Sequence, residues 1–300
     1  MGPKNDLTSY DCQILYDRIK KDIYEPVNTY KITVFLCGAD LSDRTKSRFK
    51  FAQHLTKGQF SYLYDIISPE DVFKELLYGP SAKDLLTLEN LLADSVDAII
   101  IIPESAGSIA ELGAFANDVR LRPKIVCLVD EKYKSKKSFI NRGPIKLIKN
   151  ENSDAVHYFD PANVAVVTEK LRTVLNKLKK RSMKITDKIN LLQLSNFLLS
   201  SIYLLEPISR KTLIKLVELA IGDKNPAPQA TTVALTLMNK KRHVEVDSSA
   251  CYSLTPVGLS EFRALRHTKR LRRNYKRDVQ LDQLRLEILN LKLRGKRMRV

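Results

Sequence analysis

Little in this sequence marks a secreted, membrane-held or metal-held protein. The four cysteines, Cys12, Cys37, Cys127 and Cys251, lie far apart with no paired spacing, so no disulfide framework or Cys-x-x-Cys motif is predicted. Cys37 and Cys127 fall inside apolar runs, where a free thiol behaves as a small hydrophobe. The four histidines (His54, His157, His243, His267) show no ligand spacing, so no metal is expected. The longest purely aliphatic run is Ala98–Ile102, far short of the roughly 20 residues that span a bilayer. The segment MGPKNDLTSYDC lacks the basic-then-apolar order of a signal peptide, and position 6 is Asp where a myristoylation motif has Ser or Thr. These absences predict a soluble, reduced, cytoplasmic protein with no membrane partner.

Acidic residues are also short: 34 Asp+Glu against 51 Lys+Arg leave a net charge of +17, which points to an acidic partner. The excess is uneven. Residues 1–180 hold 27 basic and 24 acidic side chains, whereas residues 181–300 hold 24 and 10. One half is nearly neutral and the other is a polycation, so two jobs are expected.

In the first half, apolar β-rich runs recur at Ile32–Cys37, Phe60–Ile67, Ala98–Ile102 and Ile125–Val129. Segments of helical spacing separate them: Arg44–Leu55, Pro69–Leu77, Leu85–Asp94 and Ser108–Asn117. Short continuous apolar strands alternating with helices predict an α/β fold, a Rossmann-like doubly wound parallel sheet over residues 1–180. Ligands bind such sheets outside the carboxyl ends of the strands. Those positions are Cys37-Gly38-Ala39-Asp40, Pro69-Glu70-Asp71, Pro103–Ser108 and Asp130-Glu131.

The third of these loops is the most informative. Gly107 permits close backbone approach, and Ser108 followed by Glu111 fits a capping box opening a helix. Free amides there would make an anion or sugar-hydroxyl site. From local physics, Glu111 is thus either a capping carboxylate or a site residue. Glu104 and Glu111 flank the mouth of one strand, and Glu89 precedes that strand, so three carboxylates could converge on one cleft. A carboxylate beside a sugar C1′ can displace a base through an oxocarbenium-like transition state, while a second polarises the leaving base. Alone, Glu89 reads as part of a solvated helix face.

At these residues the chain resembles the nucleoside 2-deoxyribosyltransferases. Glu89, the strand ending at Ile102 and Glu111-Leu-Gly-Ala match that family in order and spacing, and Phe35-Leu-Cys-Gly38 looks like its first strand and glycine turn. The resemblance implies that Glu111 is the nucleophile and that Glu89 contacts the base. The family has an Asp six residues before its nucleophile, where this chain has Ser105 beside Glu104. The Pro103-x-x-x-Gly-Ser-x-x-Glu111 run is also similar to the loop of nucleotide phosphoribohydrolases, which likewise break N-glycosidic bonds.

The second half reads as a winged helix-turn-helix domain over 185–262 and a basic helical tail over 263–300. Helices are predicted at Asp187–Leu205, Arg210–Ile221 (capped by Ser209) and Ala230–Asn239, after an irregular turn at Gly222–Pro228. A strand–turn–strand and Leu254-Thr-Pro-Val-Gly258 follow. Lys240, Lys241 and Arg242 would lie at the wing base, near a nucleic-acid backbone. The tail holds 14 Lys+Arg and three acids. Its cluster Arg266, Lys269, Arg270, Arg272 and Arg273 favours phosphate contact over base reading, since Tyr275 is its one aromatic.

Over about residues 30–295 the chain resembles the effector toxins of retron antiphage systems. Phe35–Gly38, Ser135–Pro144 and Leu281–Asn290 carry the match. The resemblance implies an effector held by a reverse transcriptase and its multicopy single-stranded DNA, in a higher-order oligomer, and NAD as substrate rather than cofactor. Glu111 would be the nucleophile or the oxocarbenium stabiliser and Glu89 would assist at the base or ribose, with Cys37, Gly38, Asp40, Pro103, Glu104, Ser105 and Ser108 lining the cleft. Two alternatives stand beside this reading: a (deoxy)nucleotide glycosidase or deoxyribosyltransferase, and a non-catalytic winged-helix DNA-binding regulator that senses a nucleotide.

Overall fold

Every residue of the strand Ile32–Cys37 is buried, which a strand achieves only when both faces of its sheet are covered. A computed structural model describes residues 9–25, 31–60, 63–70, 95–182, 189, 193–222, 224, 227–266 and 283–290. Its helices are α1 (Ser9–Ile19), α2 (Ser47–Thr56), α3 (Ala106–Asn117), α4 (Phe139–Arg142), α5 (Pro144–Glu151), α6 (Val164–Ser182), α7 (Leu194–Leu205), α8 (Arg210–Ile221), α9 (Ala227–Lys240), α10 (Pro256–Arg266) and α11 (283–290). Its strands are β1 (Ile32–Cys37), β2 (Tyr64–Ile67), β3 (Ala98–Ile101), β4 (Ile125–Asp130), β5 (Val156–Phe159), β6 (Ile208–Ser209), β7 (Val244–Val246) and β8 (Cys251–Leu254). Contacts divide the chain into two units, Lys31–Ile185 and Met1–Tyr30 with Thr186–Val300.

The first unit is an α/β sheet with all five strands parallel, in the order β2-β1-β3-β4-β5. Val34, Leu36, Ile100 and Leu128 bury with Phe51 and Leu55 of α2 and Leu171 and Leu175 of α6. Residues one step out of phase face the other way, and Phe35 meets Phe115 of α3 at 6.4 Å. Helices therefore cover both faces. The predicted strand Phe60–Ile67 contracts to Tyr64–Ile67, because Gly58–Phe60 forms a single 3-10 turn. The predicted helices Pro69–Leu77 and Leu85–Asp94 lie almost wholly outside the described residues. At the amino end of the sheet, Lys179 Nζ and Asp97 Oδ2 form a buried pair at 2.9 Å. The same oxygen accepts the Thr33 amide at 2.8 Å.

The second unit is built around α7, whose Phe197, Leu198 and Ile202 are buried among side chains of α1, α8 and α9. Its antiparallel sheet has the order β6-β8-β7. Here the domain boundary differs from the expected 1–180, since Cys12, Leu15 and Ile19 of α1 belong to this core. The apolar positions of α1 recur at helical spacing and need a partner face, which α8 supplies. Part of the tail is core as well: Leu284 and Ile288 are buried, and Arg18 pairs with Glu287 at 2.9 Å. Helix α9 begins three residues before the predicted Ala230, because Pro228 is tolerated in a first turn where its missing N–H costs nothing. In Leu254-Thr-Pro-Val-Gly258 the structural reason for the glycine is clear. A Cβ on Gly258 would stand 2.0 Å from the His243 carbonyl oxygen.

Candidate active site

The turn from β3 into α3 is built by two serines. Ser105 is the N-cap, its Oγ accepting the Ser108 amide at 3.2 Å while Ser108 Oγ accepts the Ser105 amide at 3.0 Å. This reciprocal pair replaces the expected Ser108/Glu111 capping box. The helix starts at Ala106, which puts Ser108 at its third position and Glu111 in its second turn. Glu111 is thereby relieved of capping. Ser105 Oγ also donates to the Gly38 carbonyl at 3.1 Å, tying the β3 turn to the β1 turn.

Glu104 does a structural job. Its Oε1 accepts the Arg48 amide at 2.9 Å and the Ala39 amide at 3.3 Å, and its Oε2 accepts the Ser47 amide at 3.0 Å. It caps α2, where the Lys46 side chain makes no cap bond. Arg48 follows in that first turn with its side chain fully buried. Its guanidinium forks onto Glu70 at 2.7 and 2.8 Å and donates to the Ala39 carbonyl at 2.9 Å. The glycine of the β1 turn exists for this arginine: a Cβ on Gly38 would lie 2.8 Å from Arg48 Cβ.

Glu111 is half-buried, with the fully buried Cys37 thiol as its neighbour. Burial pushes the Glu111 carboxyl above its ordinary range; the Cys37 thiol and the Arg48 charge pull the other way without cancelling it. The thiol is pushed up in turn, first by burial and then by the Glu111 charge, so Cys37 remains protonated. The result is a carboxylate partly stripped of water, beside one thiol and near one buried cation. Sequence reasoning missed Arg48, which carries no motif. Glu70 was legible only as a residue just past a strand.

The structure divides the expected cleft residues. A cavity of about 570 Å3 opens where β3, β4 and β5 end, and Pro103, Glu104 and Ser105 line it together with Lys46, Lys132 and Phe159. Cys37, Gly38, Asp40, Ser108 and Glu111 are not among its lining residues. Ile109 does line it, and Glu111, two residues on, lies about 200° further round α3. Cys37 and Ser108 are buried, while Asp40 is exposed, its carboxyl lowered by the Ser42 amide. Glu89 lies outside the described residues. Among those residues, no group of three or more His, Cys, Asp or Glu could hold a metal ion.

In the second unit, Lys240, Lys241 and Arg242 are exposed where α9 turns into β7, and Arg242 takes a positive φ of 56°. Lys269, Arg270, Arg272 and Arg273 lie outside the described residues, as does the side chain of Arg266. No helix among the described residues is long and apolar enough to cross a membrane.

Residues 44–246 match the family model of the STM3845 retron effector protein. A protein of Escherichia coli retron Ec86, named as a candidate ribosyltransferase/DNA-binding protein, is 36% identical over 299 residues, covering 95% of this chain and 92% of its own. The similarly named protein of Escherichia coli retron Ec73 is 28% identical over 262 residues, covering 78% and 81%.

Proposed function

This chain belongs to the STM3845 retron effector family, and from that premise we propose that it is an N-glycosidase that hydrolyses NAD at the nicotinamide–ribose bond, with Glu111 as nucleophile. The observation that carries the reading is the state of Glu111: a half-buried carboxylate, free of capping, beside the Cys37 thiol and the Arg48–Glu70 pair. A Glu111 oxygen bonds to C1′ as the C1′–N bond breaks, and the electron pair leaves with neutral nicotinamide. Water then attacks C1′, releasing ADP-ribose and a proton and restoring the carboxylate. Burial favours the step, because the charge held by Glu111 is spread into an oxocarbenium-like transition state instead of being solvated. The ribosyltransferase wording in the relatives' names concerns transfer at the same sugar carbon.

The second unit reads as a winged helix-turn-helix, with β7 and β8 as the wing, and its basic surface would hold the reverse transcriptase and multicopy DNA that restrain the toxin. Expected substrate contacts from Glu89 and from the Pro103–Ser108 loop belong to the same reading. The test is mass spectrometry of products from the purified chain, alone and with its retron partners, offered NAD and a panel of nucleotides. Nicotinamide release that vanishes in Glu111→Gln is the expected result. Free nucleobase would move the assignment to a nucleotide glycosidase. No product in any assembly would leave a DNA-binding regulator.

A further inference from the structure

One acid-free stretch of the α/β unit has no part in the chemistry above. The unit Lys31–Ile185 carries 25 Lys+Arg and 19 Asp+Glu, yet residues 132–149 hold seven basic side chains and no acid. The acidic neighbours at its ends are Asp130, paired with Lys132 at 2.8 Å, and Glu131 and Glu151. Lysines 132, 134, 136, 137 and 149 are all exposed. Four of them are held over aromatic rings: Lys132 and Lys136 each 4.9 Å from the Tyr133 centroid, Lys134 and Lys149 at 5.5 and 5.0 Å from that of Tyr158. The segment is tied down from within, since the Asn141 side chain donates to the Tyr133 and Lys136 carbonyls at 2.8 and 2.7 Å. At its crest Phe139 is 85% exposed and Tyr133 41%.

We propose that this surface is a second nucleic-acid site, on the α/β unit itself, that takes a single strand. Fixed ammonium groups match the spacing-tolerant negative charge of a phosphodiester backbone. The bare Phe139 ring beside them gains nothing from a stacked duplex and binds an unpaired base. Lys132 and Tyr133 also line the 570 Å3 cavity, so a strand on this surface runs into a cleft that carries the Thr45, Ser47 and Ser105 hydroxyls. Those hydroxyls suit a nucleotide and have no use for a lipid chain, which favours nucleic acid over an anionic membrane.

The test uses the full chain and a fluorescent oligothymidine of about 20 nucleotides, longer than one such site needs, with a duplex of equal length and anionic phospholipid vesicles for comparison. Changing Lys134, Lys136 and Lys137 together to Glu should flatten the logarithmic salt dependence of single-strand binding by about two, from three lost phosphate contacts. Phe139→Ala should weaken it about tenfold without changing that slope. A 4-thiothymidine strand should cross-link to peptides spanning 131–149 in the unmodified chain. Cross-links confined to the second unit, with unchanged affinity and slope in both variants, would overturn the proposal, as would vesicle binding as the one property these variants lose. NAD hydrolysis is a separate readout, so failure here and failure of the glycosidase reading are told apart.

Discussion

Replacing Gly38 with Ala is the sharpest test of how the carboxyl end of the sheet is assembled around Glu111. The new methyl would meet Arg48 at Cβ, Cδ and Cγ at 2.8, 3.0 and 3.1 Å. These atoms cannot swing aside. The Arg48 amide is held by Glu104, its guanidinium by Glu70 and Ala39, and its side chain has no exposed surface. Overpacking at such a place costs roughly 1–3 kcal/mol, and for a unit of this size each kcal/mol lowers Tm by about 2–4 °C. The α/β transition should therefore fall by about 2–12 °C in calorimetry. Gly113→Ala is the counterpart. It stands in the middle of α3, exposed, with nothing within 4 Å of the added methyl. There the alanine should gain about 0.5–1 kcal/mol of helix propensity and raise Tm. A Gly38→Ala protein melting at or above the parent temperature would refute the anchored Arg48, and with it the account of what surrounds Glu111.

Four further outcomes follow from particular contacts. The proposed glycosidase activity should fall as pH drops through the raised Glu111 value, above the ordinary carboxylate range, and Cys37→Ala should move that acidic limb higher while Cys37→Ser leaves it near the parent. Because the folded value is raised, ionising Glu111 costs stability as pH climbs from the ordinary carboxylate value through the raised one; Glu111→Gln should thus keep or increase Tm at neutral pH. Asp97→Ala strands the buried Lys179 charge and the Thr33 amide, and urea unfolding should show a loss of about 3–5 kcal/mol. Ser105→Ala removes the α3 cap and the bond to Gly38, costing about 1 kcal/mol in the same assay.

The parallel sheet was legible because its strands are continuous apolar runs: Ile32–Cys37 and Ile125–Val129 are buried on both faces and carry no polar alternation to mislead. Helix α8 was legible for a local reason, a serine cap at one end and Gly222 in the left-handed conformation at the other. Glu111 was legible as a candidate from its spacing after a strand. Its capping partner was misread because Ser105 and Ser108 both fit an N-cap, and local sequence cannot say which one the strand end presents.

What sequence determined alone, then, is what short-range chemistry decides: the apolar strands, the helix spacing, the capping residues and the segregation of charge into one half. Tertiary structure decided which groups meet. Helix α1 joins the second unit because its apolar face finds α8 rather than the sheet beside it in the chain. Glu104 becomes a cap because the ends of β1 and β3 lie side by side. Arg48 and Glu70, 22 residues apart, become the electrostatic frame of Glu111 because parallel strands bring successive carboxyl ends to one edge. Long-range pairing of that kind leaves no mark on neighbouring residues, so only the folded chain records it.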